Sequence, residues 1–218
     1  MESSKLFFVA ATQFEDPFEG AVGVVSPEYR VDPRYEEMDG IEKAFSELKR
    51  LTKISCWHRA NYESDAMWKL YALKRKGIAI TTTPKKIGKA LTPYRVKPEY
   101  AEENLYGGAI KYIDLASIRL RTSMLERFYH KHMAFEWEKE FRLTISLRMA
   151  EEYGVNIPEK GIEVQANLPE LISSIILGPE LTEEDKENIM QKTKEVGISD
   201  KIKITAVRLT LMIHGLIS

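Results

Sequence analysis

The chain has 218 residues, a formal net charge of −1 and a single cysteine, Cys56. Proteins that bind nucleic acid usually carry a basic excess, which 32 basic and 33 acidic side chains do not provide. One cysteine excludes a disulfide framework and a cysteine-rich zinc site. No apolar run reaches the roughly 18 residues that a membrane span requires, and the start lacks the layout of a signal peptide. We therefore expect a soluble, cytoplasmic protein without a metal site.

Apolar patterning in the first third of the chain predicts both strands and helices. Residues 6–11 and 53–58 are short apolar runs, which are typical of strands. From about residue 35 to 51 apolar side chains recur every three or four positions, which predicts an amphipathic helix. Ser64 is a suitable N-cap for a further helix, which we expect to end at Gly77.

The middle of the chain gives mixed signals. Residues 78–83 are rich in β-branched side chains and predict a strand, and Pro84 suits the first turn of a helix. Residues 93–113 predict a hairpin or two loosely paired strands, interrupted at Gly107-Gly108. A helix is expected over residues 122–131.

The last third is the clearest part of the pattern. Strands are predicted at residues 141–147, 161–168, 172–177 and 201–207. Between the last two, Thr182 and Asp185 form a variant of the capping box at the start of a helix. A strand–helix–strand unit implies a crossover connection and hence a mixed sheet. We expect residues 1–218 to form one α+β domain, with mixed, mostly antiparallel sheets and helices packed on them.

Aromatic and polar side chains concentrate between residues 55 and 71. The side chains concerned are Trp57, His58, Glu63, Ser64, Trp68 and Tyr71. A strand followed directly by a helix would bring the end of the strand close to the start of the helix. The two tryptophans could then stack on a flat ring, and the helix N-terminus could meet an anion. The alternative for Trp68 and Tyr71 is ordinary core packing.

Two pairs of side chains spaced two residues apart suggest chemistry only weakly. On a strand, Cys56 and His58 would share a face, as a nucleophile and its base do. We expect Cys56 to be buried in an apolar strand, however, where thiols are usually inert. His130 and His132 are expected on a helix or at its end, where they would point to different faces, against a metal site.

A second group of charged residues precedes the strand predicted at residues 141–147. Glu138 and Glu140 would point the same way if that strand starts early, and like charges so close raise one pKa, which can serve acid–base catalysis. Arg142 lies on the same side. The alternative is a structural salt bridge from either glutamate to Arg142 or Lys131.

A third acidic group follows the first strand. Asp16 and Glu19 lie in a turn marked by Pro17 and Gly20, where they could line a site. Asp16 could equally bond backbone amides and hold the loop.

Together these segments resemble the bacterial and archaeal proteins grouped as domain-of-unknown-function family 2971. The matching parts are Asp16-Pro17-Phe18-Glu19, Ser55-Cys56-Trp57-His58, Glu63-Ser64, Met67-Trp68-Lys69-Leu70-Tyr71, Gly77-Ile78-Ala79-Ile80, Phe135-Glu136-Trp137-Glu138-Lys139-Glu140-Phe141-Arg142 and Ile175-Ile176-Leu177-Gly178-Pro179. Members often look like accessory or phage-defence genes, which is the role that the resemblance implies. Typical members begin with a further strand and short helix, so we expect this chain to lack those first elements.

The Glu-x-Glu sequence before a strand is also similar to part of the ADP-ribosyltransferases, which hold NAD in a cleft. By that likeness Glu140 or Glu138 would orient the ribose, while Trp68 and Tyr71 would stack on nicotinamide. The histidine that the enzymes carry near their start is absent here.

The leading hypothesis is a site for a nucleotide-like small molecule, with NAD as the cofactor to test and transferase or glycohydrolase chemistry. The predicted catalytic residues are Glu140, Glu138 and His58, and the predicted ligand-binding residues are Asp16, Glu19, Trp57, Ser64, Trp68, Tyr71 and Arg142. Arg142 would hold a phosphate. The competing hypothesis is a non-catalytic protein-binding or accessory module, in which the Glu–Arg network only holds the fold together.

Overall fold

The structure is a computed structural model that describes residues 4–14, 43, 46–114, 122–123, 125–148 and 154–204. Helices and mostly antiparallel sheets make up these residues, which confirms the predicted α+β class. They group into two compact units. The first unit contains residues 1–5, 60–92 and 165–218, and the second contains residues 6–59 and 93–164. That the whole chain is one domain stays a prediction.

The described residues contain ten strands, four complete α-helices and the helical residues 43 and 46–51. The strands are β1 (Lys5–Ala10), β2 (Thr52–His58), β3 (Ile78–Thr81), β4 (Leu105–Ala109), β5 (Lys111–Ile113), β6 (His130–His132), β7 (Glu140–Ser146), β8 (Gly161–Gln165), β9 (Ser174–Leu177) and β10 (Ile202–Ile204). The helices are α1 (Asp65–Tyr71), α2 (Pro84–Ala90), α3 (Leu168–Leu171) and α4 (Glu183–Glu195). Short 3-10 helices cover Ala11–Gln13, Leu73–Arg75, Leu125–Tyr129, Met133–Glu138 and Ser199–Lys201. No described helix is long and apolar enough to cross a membrane.

The second unit is built on a five-stranded sheet in the order β4-β7-β2-β1-β8. Its strand β7 pairs antiparallel with β4 on one side and with β2 on the other. The pairing with β2 runs from Thr52 opposite Ser146 to His58 opposite Glu140. On one face of this sheet Ile54 packs with Phe128 in a small apolar core. The strands predicted at residues 6–11, 53–58 and 141–147 are thus confirmed. The strand predicted at residues 161–168 is present but ends at Gln165, because Leu168 begins α3.

The sequence suggested that Gly107-Gly108 interrupt a hairpin, which is wrong. Both glycines lie inside β4, and the neighbouring β5 pairs with β6 instead of with β4. A Cβ added at Gly107 would lie 3.3 Å from the ring of Phe141, and one added at Gly108 would lie 3.0 Å from the ring of Tyr129. The glycines therefore let aromatic rings pack directly onto the strand.

The first unit contains the three-stranded sheet β10-β9-β3. Strands β9 and β10 are parallel and are joined through α4, which confirms the predicted crossover and mixed sheet. Thr182 and Asp185 form the predicted capping box: the Thr182 hydroxyl accepts from the Asp185 N–H, and the Asp185 carboxylate accepts from the Thr182 N–H. Pro84 opens α2 as expected, with Thr83 as N-cap.

The helix that Ser64 caps ends at Tyr71, not at Gly77. Lys74 and Arg75 have positive φ angles of 49° and 60°, so the helix cannot continue through them. Within α1, Trp68 is buried, whereas Leu70 and Tyr71 are 62% and 67% exposed.

The helix predicted over residues 122–131 is also wrong. Residues 125–129 form a 3-10 helix, and His130 to His132 form β6, which pairs parallel with β5. Alternate residues of a strand share a face, so His130 and His132 point to one side of β6 and not to different sides. Of the helix predicted from 35 to 51, residues 43 and 46–51 are described and helical, and the rest lies outside the described residues, as do residues 205–207 of the last predicted strand.

Lys53 is a fully buried lysine near the start of β2. Its ammonium group donates to the carbonyl oxygens of Arg50, at 2.8 Å, and Pro158, at 2.6 Å. Burial, together with the charge of Arg50, lowers the pKa of Lys53 from 10.5 to about 8. A group whose folded pKa is lowered in this way binds fewer protons in the folded than in the unfolded state between the two values.

We expect the free energy of unfolding to rise with pH above 7 because of Lys53. Between the folded pKa of about 8 and the unfolded value of 10.5, deprotonation removes the cost of burying the charge. Relative to a Lys53→Met variant, the wild-type stability should increase by about 1 kcal/mol from pH 7 to pH 9. Urea unfolding at both pH values measures this difference, and parallel pH dependences in the two proteins would contradict it.

Candidate functional site

The register of β2 on β7 brings four of the residues of interest to one face of the sheet. Cys56 lies opposite Arg142, and His58 lies opposite Glu140. Directly opposite residues of an antiparallel pair share a face, as do alternate residues along each strand. Trp57, opposite Phe141, therefore points to the other face at the same end of β2.

The Arg142 guanidinium is the most deeply buried charge of the group, with no exposed surface. Its Nε donates to Glu140 Oε1 at 2.6 Å and its Nη2 donates to Glu140 Oε2 at 2.9 Å, so the carboxylate is held by a fork. The remaining nitrogen, Nη1, donates to the Phe128 carbonyl at 2.7 Å, and the Phe14 ring lies 5.3 Å from the guanidinium carbon. This geometry is the structural salt bridge that the sequence offered as an alternative.

A second buried ion pair adjoins the first. Lys131 Nζ donates to Glu138 Oε2 at 2.6 Å and lies 3.7 Å from Glu140 Oε2, above the ring of Phe135. Two cations and two carboxylates thus share one buried volume with no net charge, which offsets much of the cost of removing them from water.

Lys139 gives the two glutamates their convergent directions. It caps the 3-10 helix Met133–Glu138 in a left-handed conformation, with φ 44° and ψ 49°. Its N–H donates to the Glu136 carbonyl at 3.1 Å, and its own carbonyl accepts from the Arg59 N–H at 2.8 Å. The helix therefore ends with Glu138 turned inward, and β7 begins one residue later with Glu140 turned inward as well.

The pKa of Glu140 lies below its ordinary value. Burial by itself would raise the pKa, but the hydrogen bonds and charge of Arg142 outweigh it, with smaller contributions from a hydrogen bond of the Cys56 thiol and the charge of Lys131. Glu140 is therefore ionised at neutral pH. It does not have the raised pKa of a general acid, which the spacing of Glu138 and Glu140 had suggested.

His58 and Trp57 each carry a buried ring nitrogen that is unpaired within the described residues. His58 Nδ1 lies 2.6 Å from the backbone carbonyl of Glu138. The other ring nitrogen, His58 Nε2, is buried, as is Trp57 Nε1, and neither has a hydrogen-bond partner within the described ranges. Buried polar atoms in proteins are nearly always paired, so these two nitrogens need an explanation.

Cys56 is exposed, although the sequence predicted a buried, inert thiol. The strand is apolar on average, but alternation turns Cys56 to the face where charged residues collect. Its thiol is engaged with the Glu140 carboxylate.

Tyr112 is a member of this cluster that the sequence did not indicate. Its hydroxyl oxygen accepts a hydrogen bond from the Glu140 N–H at 2.7 Å, so it fixes the backbone where β7 begins. Burial raises the pKa of Tyr112, which keeps the hydroxyl protonated. No local signal could have revealed this contact, since it depends on β5 pairing with β6.

Three predicted ligand-binding residues belong to the first unit. Trp68 is buried and its Nε1 donates to Glu63 Oε2 at 3.2 Å, so its ring is satisfied as a core side chain. The Ser64 hydroxyl caps α1 by accepting from the Met67 N–H at 3.4 Å, and Tyr71 is largely exposed. That these residues share a ligand with Trp57 and His58 stays a prediction.

Asp16 and Glu19, the predicted acidic turn, lie outside the described residues. Within the described ranges, no group of three or more histidine, cysteine or acidic side chains could hold a metal ion.

Comparison with known protein families gives a match. A family described as a protein of unknown function, DUF2971, matches residues 67–143, which is less than half of the chain. The match includes the segments Met67–Tyr71 and Phe135–Arg142, and it supports the resemblance to that family. No curated protein and no solved structure matches. The likeness to ADP-ribosyltransferases finds no support in these comparisons.

We expect Glu140→Gln to destabilise the protein strongly. The substitution keeps the shape of the side chain but leaves the fully buried Arg142 without its compensating charge. Breaking a buried ion pair in this way costs about 3–5 kcal/mol. Chemical unfolding measures the loss. Removing both charges in Glu140→Leu with Arg142→Met should cost less than Glu140→Gln alone, and a larger cost would contradict this account.

The left-handed conformation of Lys139 gives a second prediction about the cluster. Lys139→Asn should leave stability nearly unchanged because asparagine tolerates this conformation. Lys139→Val should cost about 1–2 kcal/mol because a branched Cβ clashes there. Since the side chain is exposed, lost packing contributes little. Equal unfolding free energies for the two variants would refute the role of backbone conformation.

Proposed function

We propose that the second unit binds a nucleotide-like small molecule of the NAD type where β2 ends and β7 begins. The observation that carries the proposal is the pair of buried ring nitrogens, Trp57 Nε1 and His58 Nε2, without partners among the described residues. An unsatisfied buried polar group costs about 1–3 kcal/mol. A bound molecule that supplies a partner at either nitrogen therefore gains affinity from it.

The chemistry of these positions fits a heteroaromatic ring. Trp57 is half-buried and offers a flat apolar surface as well as one N–H donor. Nucleobases and nicotinamide are flat and carry both donors and acceptors on their edges. Small-molecule sites commonly combine apolar aromatic walls with a few polar groups in this way.

ADP-ribosyl transfer or NAD glycohydrolysis is the extension of this proposal. Glu140 would face the ribose, and Arg142 would keep its carboxylate negative and fixed in direction. A fixed negative charge is what stabilises the oxocarbenium-like cation that forms as the glycosidic bond breaks. In the hydrolytic version NAD and water give ADP-ribose, nicotinamide and a proton. The phosphate role predicted for Arg142 would require it to exchange one of its present partners.

The family resemblance supplies the biological setting of the proposal. Members often look like phage-defence genes, and consumption of a host nucleotide would be the corresponding activity.

Thermal unfolding with NAD and ATP tests the proposal. We expect a rise of a few degrees in the melting temperature for at least one nucleotide at about ten times its Kd. Trp57→Phe, which removes only the indole N–H from an aromatic wall, should weaken that rise. Trp137→Phe makes a similar change at an exposed tryptophan of the same unit and should not. Nicotinamide release by the wild type, lost in Glu140→Gln protein that is still folded, would support the chemical extension.

A non-catalytic, protein-binding module is the second candidate. It is favoured by the pairing of both glutamates, since Glu138 and Glu140 are already engaged by Lys131 and Arg142. If no nucleotide raises the melting temperature and Glu140→Gln alters only stability, the nucleotide proposal is wrong and this second candidate takes its place.

A further inference from the structure

Strand β4 forms one edge of the five-stranded sheet, and no described strand pairs with its outer side. Leu105 and Tyr106 are 38% and 45% exposed, and Gly107 is exposed as well. Natural edge strands usually carry a charge, a proline or a bulge that prevents pairing with another chain. The five residues of β4, Leu-Tyr-Gly-Gly-Ala, include no charge and no proline, and their register on β7 runs without a bulge. This edge is therefore suited to accept a further strand.

The pairing of β4 with β7 determines which backbone groups of β4 face outward. Ile110, directly after β4, donates its N–H to the carbonyl of Glu140, the residue opposite it, at 2.9 Å. Along an antiparallel strand, residues that bond to the partner alternate with residues whose N–H and C=O point away from it. Counted back from Ile110, the outward groups of β4 belong to Leu105, Gly107 and Ala109.

We propose that β4 pairs antiparallel with β4 of a second copy of this chain, centred on Gly107, so that two five-stranded sheets join into one. A two-fold axis at Gly107 sets Leu105 opposite Ala109 of the second copy and Gly107 opposite its own equivalent. All three residues have outward N–H and C=O groups, so the ladder of hydrogen bonds is complete in this register. The dimer does not depend on nucleotide binding.

Charges just beyond the two ends of β4 favour the same register. Glu103 lies two residues before the strand and Lys111 two residues after it, so the axis sets each Glu103 opposite Lys111 of the other copy. Lys111 is exposed. Burial raises the pKa of Glu103, and within the described residues no cation forms an ion pair with it. A shift of the register by two residues would set Lys111 opposite Ala101 or Leu105 and would separate both charge pairs.

The aromatic side chains on one face of β4 also fit this register. Tyr106 would lie opposite Gly108 of the second copy, where no side chain competes for the space. The ring of Tyr129 packs on Gly108, since a Cβ added there would lie 3.0 Å from it. The exposed ring of Tyr106 would therefore meet the Tyr129 ring of the other copy, and aromatic pairs contribute beyond the area that they bury.

Sedimentation equilibrium of the full chain tests the dimer. A five-residue edge buries less than an interface of standard size, so we expect reversible association at micromolar concentrations, from 25.1 kDa to twice that mass. Glu103→Lys and Lys111→Glu each set like charges opposite one another at both ends of the pairing. Either variant alone should associate roughly tenfold more weakly, or less, than the wild type. An equimolar mixture of the two restores opposite charges and should dimerise as tightly as the wild type.

Lys160→Glu is the matched control. It makes the same change of charge directly before β8, at the opposite edge of the same sheet, and should leave association unchanged. Because Lys111→Glu places a carboxylate near Glu126, the melting temperature of each variant verifies that it is folded. Recovery of the dimer on mixing gives a second proof that neither variant is misfolded.

Hydrogen exchange locates the contact. The outward amide of Gly107 should exchange roughly tenfold more slowly in the dimer than in the diluted protein, whereas the amide of Gly108, which bonds to β7, should be protected at both concentrations. A wild type that stays monomeric, a dimer that the charge reversals do not weaken, or variants whose mixture does not associate would each overturn the inference.

Discussion

The fully buried guanidinium of Arg142 is the constraint on which the second unit depends. A charge without contact to water must be matched by a countercharge and by hydrogen bonds, and Glu140 and the Phe128 carbonyl supply them. Because Glu140 and Arg142 are alternate residues of β7, both must face the same way. A slip of β7 by one residue would turn them to the opposite face, which carries Phe141 and Leu143. The ion pair therefore specifies strand register as well as contributing charge.

The charged cluster lies beside the two buried, unpaired ring nitrogens of Trp57 and His58. Lys131 and Arg142 already engage Glu138 and Glu140, so the four charges are satisfied within the protein. The polar groups left over are on the adjacent residues Trp57 and His58, which lie at the same end of β2. In this arrangement the ion pairs act mainly as a support, which holds a backbone carbonyl and a strand end in place.

Where local chemistry decides the structure, the sequence was a good guide. The capping box of Thr182 and Asp185 and the strand over residues 141–147 depend on neighbours along the chain, and both are present. One failure occurs where distant residues decide, because Gly107-Gly108 belong to a strand onto which the rings of Phe141 and Tyr129 pack. Another failure is local: the helix of Trp68 ends at Tyr71, where Ala72 is extended, and the left-handed Lys74 and Arg75 prevent a helix from continuing to Gly77.

The candidate site likewise contains contacts that were predictable from the sequence and contacts that were not. The pairing of Glu138 with Lys131 and of Glu140 with Arg142 was predictable from the sequence. The partners carry opposite charges, lie seven and two residues apart, and are close to the start of one strand. The exposure of Cys56 depends on which face of β2 carries the charged cluster. The sequence predicted a buried thiol because the residues around Cys56 are mostly apolar. The contact of Tyr112 with the start of β7, and that of His58 with a backbone carbonyl, have no signature in residue type or spacing.

The interleaving of the two units has a consequence for dissecting this protein. The segment that the family model matches, residues 67–143, begins inside α1 and stops within β7, so it includes parts of both units and the whole of neither. A fragment cut at those limits would lose β2, which pairs with β7, and β7 with Arg142 would become an unpaired edge strand. The limits of the family match and the limits of the two folded units are therefore different in this molecule. Truncations should follow the sheets, not the limits of the match.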